Sequence, residues 1–356
     1  MSTIFSKFFH TLAEFLETPY TERRTAPRYG WIPDVPDRRD AYIPHYPTDS
    51  DEECVVHSPS KCEAEFEPNK DASSTTLDLR LNMPAVYDDQ GLGCSTVSAL
   101  ATLLEFHQLQ ENPESDYEPS RLFWYYAIRV LRGTERSDCG ASFRDAWKVL
   151  NQEGICDEID WPFHPNMHSA APYWSCYESE SQSTPVVYKR VPHTMDAIKY
   201  CLKNSMPIAF GMSVYASFES ETTRRTGQVS LPACCRDLTQ SKDCPSDKTN
   251  GDDIAEAEVN DAHLGGHALV LVGFNDETNV FIARNSQGTK WGDNGYAYIP
   301  YEYILNPMLC RDFWVLVSKT DSVTQEATCE TTSSQSPDTG IELPRIFQEL
   351  LERVRS

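Results

Sequence analysis

Three short stretches of the chain combine residue types that suit nucleophilic catalysis. The first, at 89–96, reads Asp-Gln-Gly-Leu-Gly-Cys-Ser-Thr and is a glycine-rich turn that opens a predicted helix. The second, at 265–274, places a histidine after two glycines and before an apolar run. The third, at 284–296, contains Arg-Asn-Ser-Gln-Gly followed by Trp-Gly-Asp-Asn-Gly-Tyr. A nucleophile in the first stretch would lie at the positive end of a helix dipole, where free backbone N–H groups stabilise an anion.

In this order and spacing the three stretches resemble the papain-like cysteine peptidases, the cathepsin family, and in particular its bacterial and large-DNA-virus branch. The likeness spans about 29–317, apart from acidic insertions. It implies an α+β, two-lobed papain-like fold. A helical lobe would hold the nucleophile, and an antiparallel β-barrel-like lobe would hold the histidine and asparagine, with the active-site cleft between them. The branch likeness also rests on these segments: 30–34 (Gly-Trp-Ile-Pro-Asp), 119–123 (Pro-Ser-Arg-Leu-Phe), 140–142 (Gly-Ala-Ser), 161–163 (Trp-Pro-Phe), 300–304 (Pro-Tyr-Glu-Tyr-Ile) and 312–314 (Asp-Phe-Trp).

The resemblance implies four catalytic residues. A thiolate attacks the peptide carbonyl in this family, and a neighbouring imidazolium and a helix N-terminus lower the pKa of a thiol from about 8.5. His267 would form the imidazolium and later protonate the leaving amine. Asn285 would orient the ring of His267. Gln90 and the backbone N–H of Ser95 would donate hydrogen bonds to the oxyanion.

Two further residues are implied to support substrate binding and the catalytic pair. Gly140 would let the substrate backbone approach closely on the helical-lobe wall, and Trp291 would shield the bond between the catalytic histidine and asparagine from water. His263 is the nearest rival to the catalytic histidine, and we predict that it lies in a loop. No metal site and no cofactor are expected, and the substrate would be a protein or peptide.

The nucleophile position departs from the family pattern. The family usually has Gly-Ser-Cys there, whereas residues 93–95 of this chain are Gly-Cys-Ser. The family helix carries a small residue four positions after the nucleophile and a glutamate ten positions after it. Counted from Ser95, these positions hold Ala99 and Glu105, whereas counting from Cys94 loses the glutamate. We therefore place Ser95 at the nucleophile position, with Cys94 as the alternative.

A serine at this position gives two interpretations of the function. The chain is an endopeptidase in an inactive, full-length or zymogen form that carries an engineered cysteine-to-serine change, or it is a natural pseudo-peptidase that binds peptides or a partner. Two other departures bear on the site. One residue fewer separates Gln90 from the nucleophile position than is usual in the family, and Gln287 stands where a tryptophan is usual.

The elements that must position these residues are helices in the first half and strands in the second half. This order is typical of an α+β protein. Apolar runs and the glycine turns that interrupt them predict the bounds. Predicted helices lie at 96–110, 120–131, 142–153 and 196–203, and predicted strands lie at 207–214, 268–274, 280–285, 296–300 and 313–317.

The chain divides into five regions by composition. An amphipathic N-terminal helix at 1–19 precedes a pro-segment-like region at 20–76 that includes an acidic loop. The peptidase domain is predicted at 77–318. A Ser/Thr-rich linker at 319–340 and an amphipathic helix at 341–356 close the sequence. Both terminal helices could dock on the body of this protein, on another copy or on a membrane surface.

Composition excludes several classes of function. The net charge of −23 opposes a duplex nucleic-acid binder, which needs a basic surface. No signal peptide is evident, and no apolar run approaches the roughly 20 residues of a membrane span. The 12 cysteines contain no C-x-x-C pair, and their disulfide pattern is left open. The location is also left open between a lysosome-like compartment, secretion and a virion.

Overall fold

A computed structural model describes residues 29–43, 74–177, 186–236 and 261–319. They form two compact units. Unit 1 comprises the described residues of Met1–Asp34, Asp89–Val187 and Val317–Ser356, and unit 2 those of Val35–Asp88 and Tyr188–Leu316. Both predicted terminal helices, most of the linker and the acidic loop lie outside the described residues. Among the described helices, none is both long and apolar enough to cross a membrane.

Unit 1 contains three principal helices, and each begins within one residue of its predicted start. Ser120 and Ser142 cap two of the helices, because each side-chain oxygen accepts a hydrogen bond from the backbone N–H three residues later. Gly133 ends the second helix in the left-handed conformation, at φ 70°. The helices are α1 (Ser95–Glu111), α2 (Arg121–Arg132) and α3 (Phe143–Glu153).

Unit 2 contains an antiparallel sheet, and shorter helices connect its strands. The strand order is β2-β7-β3-β4-β5-β6, and β1 pairs with β4 outside this path. The strands are β1 (Thr76–Asp78), β2 (Val186–Arg190), β3 (Ile208–Tyr215), β4 (His263–Asn275), β5 (Val280–Arg284), β6 (Tyr296–Pro300) and β7 (Cys310–Lys319). The helices are α4 (Met195–Lys203), α5 (Glu221–Thr226), α6 (Ala233–Arg236) and α7 (Tyr301–Leu305).

The α+β class is confirmed, but the sheet of the described residues is open and does not close into a barrel. Strands β2 and β6 stand at the two ends of the pairing path. Closure depends on strand tilt and register, which the alternation of apolar residues does not encode. The alternation of apolar residues predicted the strands, but it could not predict whether the sheet closes into a barrel-like lobe.

His263 lies in a strand and not in the predicted loop. Strand β4 begins at His263 because the two glycines that follow pair through their backbone with β3, Gly265 with Val214 and Gly266 with Ser213. Glycine carries no side-chain pattern, so the start of the strand could not be recognised from apolar alternation. The side chain of His263 is exposed and packs against Tyr215, at 5.4 Å between ring centroids.

Residues 29–43, part of the region predicted to resemble a pro-segment, pack into the structure. In unit 1, Ala141 donates to the Gly30 carbonyl at 2.8 Å and accepts from the Ile32 N–H at 2.9 Å. In unit 2, Arg190 donates a side-chain hydrogen bond to Asp40 at 2.6 Å. The first part of the segment therefore belongs to unit 1 and the second part to unit 2.

Candidate functional site

The predicted nucleophile turn lies directly before helix α1 of unit 1. Cys94 is the N-cap of this helix and Ser95 is its first residue, and both side chains are buried. The turn that leads to them is tight, because Gln90 and Gly91 both have a positive φ, at 49° and 81°. Glycine adopts this conformation without strain, whereas glutamine does so at a cost. The helix thus presents the residue at position 95 at the positive end of its dipole.

The Cys94 thiol is held in its neutral form. Burial, the Asp89 charge and a hydrogen bond to Asp89 raise its pKa well above the ordinary value, and Arg121 opposes this effect only in part. A nucleophilic cysteine needs the opposite environment, one that favours the thiolate. Its surroundings therefore suit Cys94 to a buried packing role.

A buried polar network beneath the turn connects it to two helices. The Ser98 hydroxyl of α1 donates to Asp89 Oδ1 at 2.6 Å, and Arg121 Nη1 of α2 lies 3.4 Å from the same oxygen. The Arg121 guanidinium also stacks on the ring of Phe163, 4.0 Å from the centroid. Sequence reasoning gave Asp89 and Arg121 no role, although both lie in motifs that carried the resemblance.

Glu158 is a partly buried acid next to this network. Its Oε1 accepts from the Phe163 N–H at 2.6 Å. Burial raises the pKa of Glu158 to about 7, although the nearby Arg121 charge and two backbone N–H donors lower it. Glu158 therefore changes its charge near neutral pH, close to the arginine that contacts the nucleophile turn.

A second network ties the nucleophile turn to the predicted substrate-binding glycine. Asp138 Oδ1 accepts from the Gly93 N–H at 3.0 Å and from the Tyr125 hydroxyl at 2.7 Å. The Tyr125 oxygen in turn accepts from the Gly140 N–H at 3.0 Å. The buried Arg129 supports the same loop by donating to the Glu135 and Ser137 carbonyls, each at 2.9 Å. The positions of Gly93 and Gly140 are thus coupled through one carboxylate.

The close approach predicted at Gly140 is made by the chain's own backbone. Gly140 has a φ of 87°, and a Cβ atom there would lie 2.2 Å from the Gly30 carbonyl oxygen. A Cβ atom on Gly30 would in turn lie 1.8 Å from the carbonyl oxygen of Gly93. Three backbone segments of unit 1 therefore pack without side chains between them.

In unit 2, His267 and Asn285 are hydrogen bonded and almost fully buried. His267 lies in β4 and Asn285 directly follows β5, and the distance from His267 Nε2 to Asn285 Oδ1 is 2.7 Å. Since Oδ1 also accepts from the Ser286 N–H at 2.8 Å, it acts as the acceptor and Nε2 carries the proton. Burial lowers the pKa of His267 to about 4, and the hydrogen bond to Asn285 offsets this effect only in part.

Phe218 packs against the histidine of this pair. Its ring lies edge-on to the His267 ring, at 6.2 Å between centroids, and is tilted against Trp291 at 5.2 Å. Trp291 is itself 5 % exposed. Phe218 was not singled out from the sequence, because a lone phenylalanine after a strand reads as an ordinary core residue. Gln287, at the position where the family usually has tryptophan, forms an isolated antiparallel bridge with Asp88.

The predicted site residues fall into two groups. Unit 1 holds Gln90, Ser95 and Gly140, whereas unit 2 holds His267, Asn285 and Trp291. Each group supplies a different part of the expected chemistry. The first supplies a helix N-terminus and a glycine turn, and the second supplies a neutral imidazole whose orientation an amide holds.

Comparison with known proteins shows the family. The family model for papain family cysteine protease matches residues 253–306, which include His267 and Asn285. An uncharacterized peptidase C1-like protein of Acanthamoeba polyphaga mimivirus is 31 % identical over 308 residues, covering 83 % of this chain and 88 % of the relative. The chain therefore belongs to the papain family of cysteine proteases.

Solved structures agree with this assignment. The crystal structure of xylellain, a cysteine protease from Xylella fastidiosa, is 30 % identical with a TM-score of 0.62, covering 85 % of this chain and 99 % of xylellain. A procathepsin B from Trypanosoma congolense shares the fold at 14 % identity, with a TM-score of 0.52 and coverage of 83 % and 87 %. The predicted papain-like fold is confirmed.

Proposed function

We propose that this chain has the architecture of a papain-type endopeptidase, with Ser95 at the nucleophile position and His267, Asn285 and Gln90 retained for catalysis. In the proposed reaction, a thiolate at position 95 would attack the carbonyl of a peptide bond, and His267 would protonate the leaving amine. Gln90 and the backbone N–H of residue 95 would stabilise the oxyanion. The chain itself, which carries an alcohol at this position, would not hydrolyse peptides.

The hydrogen bond between His267 and Asn285 carries this proposal. It commits Nε2 to Asn285, so proton exchange with a nucleophile would go through Nδ1, as a catalytic base requires. The same arrangement would make serine ineffective. Burial favours the neutral form of His267, with a pKa of about 4, and a thiolate at position 95 would raise that pKa towards the imidazolium, whereas an alcohol would not.

The Asp89 carboxylate beside Cys94 supports the choice of Ser95 over Cys94. Its thiol hydrogen-bonds to Asp89, and its pKa is raised, which opposes formation of a thiolate. Ser95 instead begins the helix, where the dipole and backbone N–H groups favour an anion.

The packing of residues 29–34 supports the predicted pro-segment role for this part of the chain. Gly30 lies against Gly93 and Gly140, the backbone positions that the family resemblance assigns to the nucleophile turn and the substrate wall. Asp34 adds an anchor, because its Oδ1 accepts from the Arg144 N–H at 3.0 Å. A substrate that approaches Gly140 would have to displace this segment.

A natural peptide-binding pseudo-peptidase is the second candidate, and Ser95 itself favours it. Every other catalytic residue implied by the resemblance is present, so the site would keep its shape while lacking a thiolate. Such a protein would bind protein or peptide segments and release them intact.

The Ser95→Cys variant of the full chain tests the proposal. We expect it to react with an epoxide-type thiol inhibitor and to hydrolyse peptide substrates at a rate at least about 10³-fold above that of the parent chain. The Ser95→Ala variant is the matched control and should be as inactive as the parent.

Two outcomes would contradict the proposal. Labelling of Cys94, together with hydrolysis by the parent chain, would show that Cys94 is the nucleophile. A folded Ser95→Cys variant that neither reacts nor hydrolyses, but binds peptides as the parent does, would favour the pseudo-peptidase.

A further inference from the structure

The Asp138 carboxylate of unit 1 is in direct contact with the predicted nucleophile turn. Its Oδ1 accepts from the Gly93 N–H at 3.0 Å, and a Cβ atom on Gly93 would lie 2.9 Å from the same oxygen. A side chain at residue 93 would therefore push the carboxylate away from the turn. Since Gly93 lies two residues before Ser95, the carboxylate fixes the backbone that leads to the nucleophile position.

Tyr125 extends this contact to residues 138–141, which we call the Gly140 loop. Because a carboxylate accepts hydrogen bonds, the buried Tyr125 hydroxyl donates to Asp138 Oδ1 at 2.7 Å, and its oxygen accepts from the Gly140 N–H at 3.0 Å. Burial, together with the Asp138 charge, raises the pKa of Tyr125 far above its ordinary value, so the hydroxyl keeps this proton. The hydrogen bonds thus run from Gly140 through Tyr125 and Asp138 to Gly93.

Arg129 supports this carboxylate from the interior of unit 1. It donates to the carbonyls of Glu135 and Ser137, in the stretch that leads to Asp138, each at 2.9 Å. Its Nε donates to the Tyr125 carbonyl at 3.0 Å, and its guanidinium carbon lies 3.9 Å from the centroid of the Tyr125 ring. One buried arginine therefore fixes Asp138 and Tyr125 relative to each other.

Helix α1 makes a second contact with the Gly140 loop. The Thr96 hydroxyl donates to the Ala141 carbonyl at 2.9 Å, and both residues are buried. The loop is therefore tied to the start of the helix on both sides of Gly140. The Asp138 contact differs from the Thr96 contact, because it joins the backbone before the helix to the N–H of Gly140 itself.

We propose that Asp138 is a positioning residue that sets the distance between the nucleophile turn and the Gly140 loop. The inference rests on the proposed function, in which residue 95 attacks the peptide bond and Gly140 lies along the substrate backbone. In such a reaction a displacement of about 1 Å can lower the rate by about 10²-fold. Asp138 acts through the N–H groups of Gly93 and Gly140.

Amide hydrogen exchange of the parent chain, measured residue by residue, tests the coupling without a catalytic step. Asp138→Ala should speed exchange of the Gly93 and Gly140 N–H groups by about 10-fold, because the first loses its acceptor and the second loses the support of its acceptor. Tyr125→Phe should speed exchange at Gly140 alone. Ser137→Ala, at an exposed residue next to Asp138, is the matched control and should change neither. Unchanged exchange at Gly140 in Asp138→Ala would overturn the proposal.

Peptide hydrolysis in the Ser95→Cys background tests the role in catalysis. Asp138→Ala should lower kcat/KM by about 10²-fold. Asp138→Asn, whose amide oxygen still accepts from both donors, should stay within about 5-fold of Ser95→Cys. Tyr125→Phe should raise KM and leave kcat nearly unchanged, since the nucleophile turn keeps its bond to Asp138. Equal losses in Asp138→Ala and Asp138→Asn would show that the charge matters and not the position, and would overturn the proposal.

The two experiments separate this inference from the proposed function. If a folded Ser95→Cys variant is inactive, the proposed function is wrong and the catalytic role of Asp138 is wrong with it, while the exchange rates still decide whether the two backbone segments are coupled. If Ser95→Cys is active and Asp138→Ala is equally active in that background, only the positioning role of Asp138 is wrong.

Discussion

The two regions that carry the predicted catalytic residues differ in how their geometry is maintained. In unit 2, His267 is held by a side-chain hydrogen bond to Asn285 and by contact with the ring of Phe218. In unit 1, the turn before Ser95 is held by close contacts between glycine backbones and by two carboxylates, those of Asp89 and Asp138. Side-chain replacements should therefore disturb the unit 2 region most, and atoms added to glycines should disturb the unit 1 region most.

The two regions also bury opposite kinds of titratable group. Unit 1 buries an acid, Glu158, whose pKa is raised, whereas unit 2 buries a base, His267, whose pKa is lowered. In both cases burial disfavours the charged form. Desolvation therefore makes the stability contribution of His267 increase with pH and that of Glu158 decrease with pH.

The largest expected effect falls on the side-chain arrangement of unit 2. In the Ser95→Cys background, His267→Ala should lower kcat/KM for a peptide substrate by roughly 10³- to 10⁴-fold, because the base and the partner of the thiolate are both lost. His263→Ala, an exposed histidine in the same strand, is the matched control and should leave kcat/KM unchanged. Equal losses in both variants would remove His267 from the proposed reaction.

A smaller effect, on stability, tests the backbone packing of unit 1. Gly30→Ala should lower the free energy of unfolding by about 3 kcal/mol, because its Cβ would meet the Gly93 carbonyl oxygen at 1.8 Å. Gly91→Ala is the control, since nothing lies within 4 Å of its Cβ, and the cost is limited to about 1 kcal/mol for a positive φ. Chemical denaturation measures both values. Similar losses would mean that residue 30 is not tightly packed.

The smallest effects concern the pH dependence of stability, where the units should act in opposite directions. The contribution of His267 to the free energy of unfolding is complete above its ordinary pKa of 6.5 and is lost as the pH falls towards 4, because the unfolded chain binds the proton first. The free energy of unfolding of His267→Gln should therefore rise by about 2 kcal/mol less than that of the parent between pH 4.5 and 6.5.

The Glu158 contribution has the opposite sign. Its contribution to the free energy of unfolding is complete below the ordinary pKa of 4.5 and is lost as the pH rises through about 7, because the folded chain keeps the proton longer. Over this pH range the free energy of unfolding of Glu158→Gln should fall by about 1 kcal/mol less than that of the parent, a value reduced for the partial exposure of Glu158. Denaturation curves at several pH values measure both slopes, with His263→Gln as the reference. If the two substitutions changed the pH dependence of the free energy of unfolding in the same direction, the opposite pKa shifts of Glu158 and His267 would be contradicted.

Much of the fold could be predicted because its signals are local. Helices α2 and α3 begin one residue after their predicted starts at Ser120 and Ser142, which prove to be the N-caps, and β6 has the predicted bounds. Strand β1 was missed, since three residues are too few to show alternation, and β4 was predicted to begin too late because glycines interrupt its apolar pattern.

The supporting residues of the site were less accessible to prediction. Asp89, Tyr125 and Asp138 act through contacts between segments that are distant in the sequence. A single carboxylate in a loop reads as a solvated residue until the fold shows its partners. The roles of the site residues themselves remain predictions, although two of them, His267 and Asn285, are hydrogen bonded.

By itself, the sequence determined the family, the order of helices and strands, and the residue types at each candidate position, because caps, glycines and motif spacing are local properties. Only the tertiary structure decided which side chains are buried together and which protonation states they favour. It placed the Cys94 thiol against Asp89, oriented His267 through Asn285, and brought Gly30 against Gly140. The reason is that desolvation and hydrogen bonding depend on neighbours in space, which the order of residues along the chain does not specify.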